Sequence, residues 1–226
     1  MKVINHGLLE KKMETIDLDP CQQFFSEGNI QTFFDEGILV LEHALPMDFI
    51  QLLARDSSDL FTAGSFNRSG IGQHQGRHVD EKVRADSISW WDPSTLILVQ
   101  QRFWRFMENL RLEFNRHMFL GLFDSELHYA TYQTGGFYTR HLDQFRQNNQ
   151  RTVSMVLFLN NDWLETDGGA LRLYGDDTIV FRDILPQAGV LALFNSARVL
   201  HEVMPTHRLR LTLTGWMRTR LPGALS

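Results

Sequence analysis

Leu209-Arg210-Leu211-Thr212-Leu213-Thr214-Gly215-Trp216 is the stretch on which the reading of this chain turns. Successive side chains of an extended strand point to opposite faces, so Arg210, Thr212, Thr214 and Trp216 share one face and Leu209, Leu211 and Leu213 the other. Such a strand sits at a boundary. Its leucines suit packing under a helix, and its other face lines an enclosed space, as strands of a sandwich or barrel do. That places a guanidinium inside a partly closed cavity, where an unpaired Arg is costly. It needs either an internal carboxylate or an anionic ligand that it grips through two parallel hydrogen bonds.

Outward from this strand the same texture extends back to Asp124. Short apolar or alternating runs at Leu127 to Tyr132, Thr152 to Asn160, Leu171 to Tyr174, Ile179 to Phe181 and Val190 to Phe194 are broken by Gly, Asn, Asp and Pro, which predicts further strands. The first half reads as helical. Stretches Asp19 to Phe34 and Pro46 to Phe61 flank a strand-like run, Gly37 to Leu41. From Pro93 to Phe119, Leu96, Val99, Phe103, Phe106, Met107, Leu110 and Phe114 recur at intervals of three and four, predicting one long amphipathic helix that packs on a sheet. The fold class is therefore mainly β with flanking helices. No repeat or linker divides the chain, so residues 1–18 read as a loosely tied arm and residues 19–226 as a single domain. The polar, glycine-bearing segment Ala63 to Lys82 is long for a plain connection and reads as a functional loop or a mobile hairpin. Its His74 and His78 read as solvated residues, because no further ligands lie nearby to make a second metal site.

Composition narrows the function classes. The 226 residues are 43% hydrophobic and 22% charged, which is ordinary for a globular protein. No run approaches the roughly 20 apolar residues that span a bilayer, so no membrane partner and a cytoplasmic location are expected. Cys21 is the only cysteine, which excludes an intrachain disulfide and a cysteine-based zinc site. A formal charge of −5 offers no broad basic face, so nucleic acid is not an expected partner.

Any metal must then be held by His and carboxylates. In Tyr138-Thr139-Arg140-His141-Leu142-Asp143 the spacing puts His141 and Asp143 on one face of a strand, and His201 lies in a later strand-like segment, Val199-Leu200-His201-Glu202-Val203. Two histidines and one carboxylate leave three positions of an octahedral iron(II) open, although the same three ligands alone also admit zinc. A zinc hydrolase leaves Arg210 unexplained. A ligand with a carboxylate at one end and a metal-chelating 2-oxoacid at the other answers both features, and 2-oxoglutarate fits that description.

The ordered set formed by Arg84 to Trp90 (RADSISW), Tyr138 to Asp143, Arg151 to Trp163 (RTVSMVLFLNNDW), Gly168 to Leu173 (GGALRL), His201 to Pro205 (HEVMP) and Arg210 with Trp216 resembles the iron(II)- and 2-oxoglutarate-dependent dioxygenases of the prolyl 4-hydroxylase superfamily. Within it the chain is similar to the oxygen-sensing prolyl hydroxylases and their bacterial relatives, over roughly Gly37 to Arg218. The resemblance implies a double-stranded β-helix (jelly-roll) core with the N-terminal helices packed on one sheet. It implies Fe(2+) on His141, Asp143 and His201, 2-oxoglutarate as cosubstrate on Arg210, ascorbate as a reductant, and dioxygen as co-reactant. The implied substrate is a protein bearing a target proline, with succinate and carbon dioxide released and no general acid or base needed beyond the metal centre. Tyr132 would hydrogen-bond the cosubstrate, Thr212 and Val156 would line its pocket, and Trp216, Arg84 and Trp90 would face the substrate. Asp86 and Arg151 would form a salt bridge, and Ala63 to Lys82 would close over a peptide. Phe158 departs from the pattern, standing where the relatives carry a second Tyr that reaches the cosubstrate. Two other readings remain: a hydroxylase of a free amino acid or other small molecule, and a metal-binding sensor module without turnover. Nucleobase demethylation shares the iron logic, but the acidic charge counts against it.

Overall fold

The computed structural model describes residue 18 and residues 21–70, 80, 82–144, 150–175 and 179–220. Among the described residues three α-helices precede or interrupt the sheets: α1 (Glu27–Glu36), α2 (Met47–Thr62) and α3 (Leu98–Met118). The strands are β1 (Ile38–Leu41), β2 (Asn67–Arg68), β3 (Asp86–Trp90), β4 (Leu122–Tyr132), β5 (Tyr138–His141), β6 (Arg151–Phe158), β7 (Leu171–Tyr174), β8 (Val180–Ile184), β9 (Leu191–Asn195), β10 (His201–Val203) and β11 (Arg210–Thr219). They form a seven-stranded sheet, β1-β9-β6-β11-β4-β3-β2, and a four-stranded sheet, β5-β10-β7-β8. Every pairing between these strands is antiparallel. This is the jelly-roll core that the resemblance implies, with helices on the outer face of the larger sheet.

The alternation in β11 decides how the layers meet. Leu211, Leu213 and Met217 enter one apolar core with Phe103, Phe106, Met107, Leu110 and Phe114 of α3. Arg210, Thr212, Thr214 and Trp216 face the opposite way, into the space between the sheets. Leu213→Ala is expected to destabilise the fold by about 2–5 kcal/mol, the usual cost of emptying a fully buried leucine site. Chemical denaturation measures this, and a loss below about 1 kcal/mol would mean that the leucine face is not packed as described.

Several boundaries differ from expectation, each for a local reason. The stretch expected as one helix from Asp19 is a short 3-10 turn (Cys21–Phe25) followed by α1. Ser26 separates the two by adopting an extended backbone and accepting from the Asn29 N–H. Gly37 ends α1 in the left-handed conformation, at φ 72°, with its N–H donated to Phe33 O. The long helix begins at Leu98 rather than Pro93, because the Asp92 side chain accepts from the Ser94 N–H and hydroxyl and folds the preceding residues into a turn. Leu209 precedes β11 and is 40% exposed, so it does not belong to the packed leucine face. Leu18 is the only residue of the expected arm that is described, and it is buried in the helical core. His74 and His78, with most of the central part of the expected loop, lie outside the described residues. The flanking residues Asn67 and Arg68 are paired to β3. Among the described residues no helix is long and apolar enough to cross a membrane.

Candidate active site

β5 and β10 lie side by side with His141 directly opposite His201. Strand β5 ends at His141, so Asp143 arrives from the turn just beyond it, not from the strand the sequence suggested. The three side chains nevertheless converge. The ligand atoms all lie within 4.8 Å of one another. Asp143 Oδ1 is 3.5 Å from His141 Nε2, and its Oδ2 is 3.6 Å from His201 Nε2.

The backbone fixes the imidazole tautomers. His141 Nδ1 lies 2.7 Å from Thr139 O and His201 Nδ1 lies 3.1 Å from Val199 O. A carbonyl oxygen only accepts, so each Nδ1 carries a proton, and Nε2 is the nitrogen that each ring turns toward Asp143. Burial lowers the His141 pKa and neighbouring His201 lowers it further. Burial also disfavours a charged His201, but Asp143 outweighs it and holds that pKa above the usual value. Burial by itself would raise the Asp143 pKa, yet the two histidines keep it well below the usual carboxylate range. The carboxylate is further anchored by Ser154, whose hydroxyl donates to Oδ2 at 2.7 Å and lies 2.8 Å from the Ser196 hydroxyl. Ser154→Ala is expected to weaken divalent-metal binding roughly 10- to 100-fold, as loss of an outer partner does. Calorimetric titration with Mn(II) measures it, and unchanged affinity would leave Ser154 without that role.

The three residues border a cavity of about 90 Å³ between the sheets, which Arg210 also lines. Arg210 is 1% exposed, yet no carboxylate among the described residues lies within ion-pair reach of it. Its Nε donates to Gly169 O at 2.8 Å, and its Nη2 is buried with no partner among the described residues. Burial pushes its pKa down to about 10, with neighbouring Tyr132 and Asp86 opposing the fall. The guanidinium lies over the rings of Tyr132 and Phe158, 5.0 and 5.3 Å from their centroids. Two local devices hold it in place. Gly169 sits at φ 68°, and a Cβ there would come within 3.0 Å of Arg210 Cδ. The Asn160 amide accepts from Leu211 N and donates to Leu211 O, which pins the start of β11.

Tyr132, Thr212 and Val156 line the same cavity, as do Arg84 and Trp216. Trp90 stands at its edge, 45% exposed, with its ring 6.0 Å from Trp216. The expected Asp86–Arg151 bridge is replaced by two local pairs. Arg84 holds both oxygens of Asp86, at 2.7 and 2.6 Å, while Arg151 donates to Glu126 at 2.7 Å and covers the Trp216 ring at 3.5 Å. Asp86 is nearly sealed and lies two residues from Arg84, whereas Glu126 sits directly across from Trp216 in the β4–β11 register. Sequence reasoning missed His128 and Tyr138. His128 is buried between Trp90 and Trp216, with burial pushing its pKa down to about 3. Its place four residues before Tyr132 on an alternating strand was the available signal.

Comparison with known proteins bears on what this geometry serves. Residues 127–218 match the family model described as the 2OG-Fe(II) oxygenase superfamily. The chain is 38% identical to a prolyl-4-hydroxylase from Pseudomonas putida, covering 85% of this chain and 97% of that one, with a TM-score of 0.76. The chain belongs to the iron(II)- and 2-oxoglutarate-dependent dioxygenases of the prolyl 4-hydroxylase superfamily. The dioxygenase is also 27% identical, over 86% of its length, to a hypoxia-inducible factor prolyl hydroxylase from Caenorhabditis elegans, of which it spans 28%. It shares its fold with a prolyl hydroxylase from Trichoplax adhaerens solved with a hypoxia inducible factor peptide fragment (TM-score 0.76, 22% identity, 96% of this chain and 94% of that one). The family implies iron(II) and 2-oxoglutarate, and the residues present fit both. The His-Asp-His donor set suits iron(II), and the orphaned Nη2 of Arg210 is a buried donor awaiting an anion.

Proposed function

We propose that this dioxygenase hydroxylates prolyl residues of a protein substrate, with 2-oxoglutarate converted to succinate and carbon dioxide. The observation that carries the reading is the buried Arg210, whose Nη2 has no partner among the described residues, in the same cavity as the His141, Asp143 and His201 cluster. The family relationship to prolyl hydroxylases supports the choice of substrate. Iron(II) with 2-oxoglutarate, when bound, supplies reductive activation of dioxygen and transfer of one oxygen atom into a substrate C–H bond.

The chain's own residues position and enclose that chemistry. His141 and His201 would present Nε2 lone pairs and Asp143 a carboxylate oxygen to the metal, with the Nδ1–H groups tied to backbone carbonyls so that neither ring turns away. Arg210 would grip the far carboxylate of 2-oxoglutarate, a role for which a planar guanidinium is suited. Tyr132 would add a hydroxyl and Thr212 and Val156 would wall the pocket. Burial pushes the Tyr132 phenol far up, so it stays a donor at neutral pH. Trp216, Trp90 and His128 would present aromatic surface to the substrate and exclude water from the reacting carbon. We place the reaction in residues 19–226 as one domain, in the cytoplasm, with ascorbate keeping the iron reduced.

Mass spectrometry of proteins from cells with and without the active enzyme tests the substrate class. A 16 Da addition on proline is expected. Additions confined to other residues or to metabolites would overturn the prolyl reading in favour of another substrate class.

A further inference from the structure

Tyr138 lies against the candidate ligand His141 with ring centroids 3.6 Å apart and planes within 17° of parallel. On its other side the Arg84 guanidinium covers the same ring at 4.2 Å, with Nη1 3.5 Å from the phenol oxygen. The three groups therefore form one stack of guanidinium, phenol and imidazole. Its outer end is fixed in turn. Arg84 is bidentate on Asp86, and Asp86 accepts from the Ser69 hydroxyl at 2.8 Å. The backbone follows the same route: Ala85 N donates to Phe137 O and Thr139 N to Val83 O, flanking a bridge between Arg84 and Tyr138. These bonds join the segment leading into β3 of the large sheet to β5 of the small one. They also bring Arg84, expected from the resemblance to bind substrate, into the support of the metal cluster.

Two restraints then act on the His141 ring. The Nδ1–H to Thr139 O bond sets its rotation, and the Tyr138 face sets its plane. A ring whose plane is already set loses less freedom when Nε2 engages a metal. Burial pushes the Tyr138 phenol up to about 12, so the stacked ring stays neutral.

We propose that Tyr138, clamped by Arg84, is a positioning residue for the metal ligand His141. The contact that ties segment Val83–Asp86 to β5 and the affinity for metal are then coupled, so that weakening one weakens the other. This rests on the ligand set proposed above, and the experiment separates the two.

Mn(II) binding is measured by calorimetry on the full chain for wild type, His141→Ala, Tyr138→Phe, Tyr138→Leu and Arg84→Gln, each checked for native circular dichroism. Tyr138→Phe keeps the stacked face and is expected to bind within about threefold of wild type. Tyr138→Leu removes the face and is expected to bind about tenfold or more weakly, as loss of an outer partner does. Arg84→Gln should fall between them, and it supplies the test if Tyr138→Leu does not fold. Wild-type affinity in a folded Tyr138→Leu, or in Arg84→Gln if Tyr138→Leu does not fold, would overturn the positioning role while leaving the ligand set intact. If His141→Ala binds Mn(II) as tightly as wild type, the ligand set itself fails.

Discussion

Arg210→Ala is expected to raise the 2-oxoglutarate concentration needed for half-maximal succinate release roughly 30- to 1000-fold, while the Fe(II) requirement shifts by no more than a few-fold. The size follows from truncating one partner of a buried, charge-assisted pair, which costs about 2 to 4 kcal/mol. The selectivity follows from position. Arg210 lines the cavity, donates through Nε to Gly169 O, and among the described residues makes no hydrogen bond to His141, Asp143 or His201. Lys should restore little, because a single ammonium does not reproduce two parallel N–H donors and would leave Gly169 O without its Nε partner. Titrating each cosubstrate separately measures the effect. Equal shifts in the 2-oxoglutarate and iron requirements would make Arg210 a structural residue.

Asp143→Ala is expected to abolish succinate release and to weaken Mn(II) binding by more than the roughly 10- to 100-fold predicted for Ser154→Ala. Asp143 is the one anionic donor of the three and the only one that contacts both histidines. Without it two imidazoles face each other, at a ring separation of 4.2 Å, with no negative charge to hold a cation between them. Calorimetry and product analysis on the same preparation report both losses. Retention of wild-type affinity would show that the metal is held elsewhere.

The face assignment of β11 was legible because a period of two leaves no freedom: once Leu211 and Leu213 are inside one core, Arg210 and Thr212 must enter the other space. The long helix was legible for the same reason at its own period. Partner choice among charges was not. Arg84, Asp86, Glu126 and Arg151 lie on β3, β4, β6 and the segment before them, and which carboxylate meets which guanidinium depends on register and on side-chain reach across neighbouring strands. No one-dimensional pattern carries that information. The stack of Tyr138 on His141 was hidden differently. Three residues apart, the two belong to opposite faces of an ideal strand, and only the irregular register of β5 against β10 lets their rings meet. Asp143 lies beyond the end of β5, so the ligand spacing was readable while the backbone that carries it was not.

The orphaned nitrogen of Arg210 also gives Phe158 its meaning. With a Tyr absent at that position, the guanidinium covers two rings, and Tyr132 is the one that carries a hydroxyl. Under the proposed function, cosubstrate binding would lean more heavily on Arg210 here than a second hydroxyl would require.

The measurement that bears most directly on the account is succinate formation by the purified protein supplied with Fe(II), ascorbate, 2-oxoglutarate and dioxygen, read beside the Asp143→Ala variant. The account predicts succinate well above that of the variant, and succinate no greater than the variant's would contradict it.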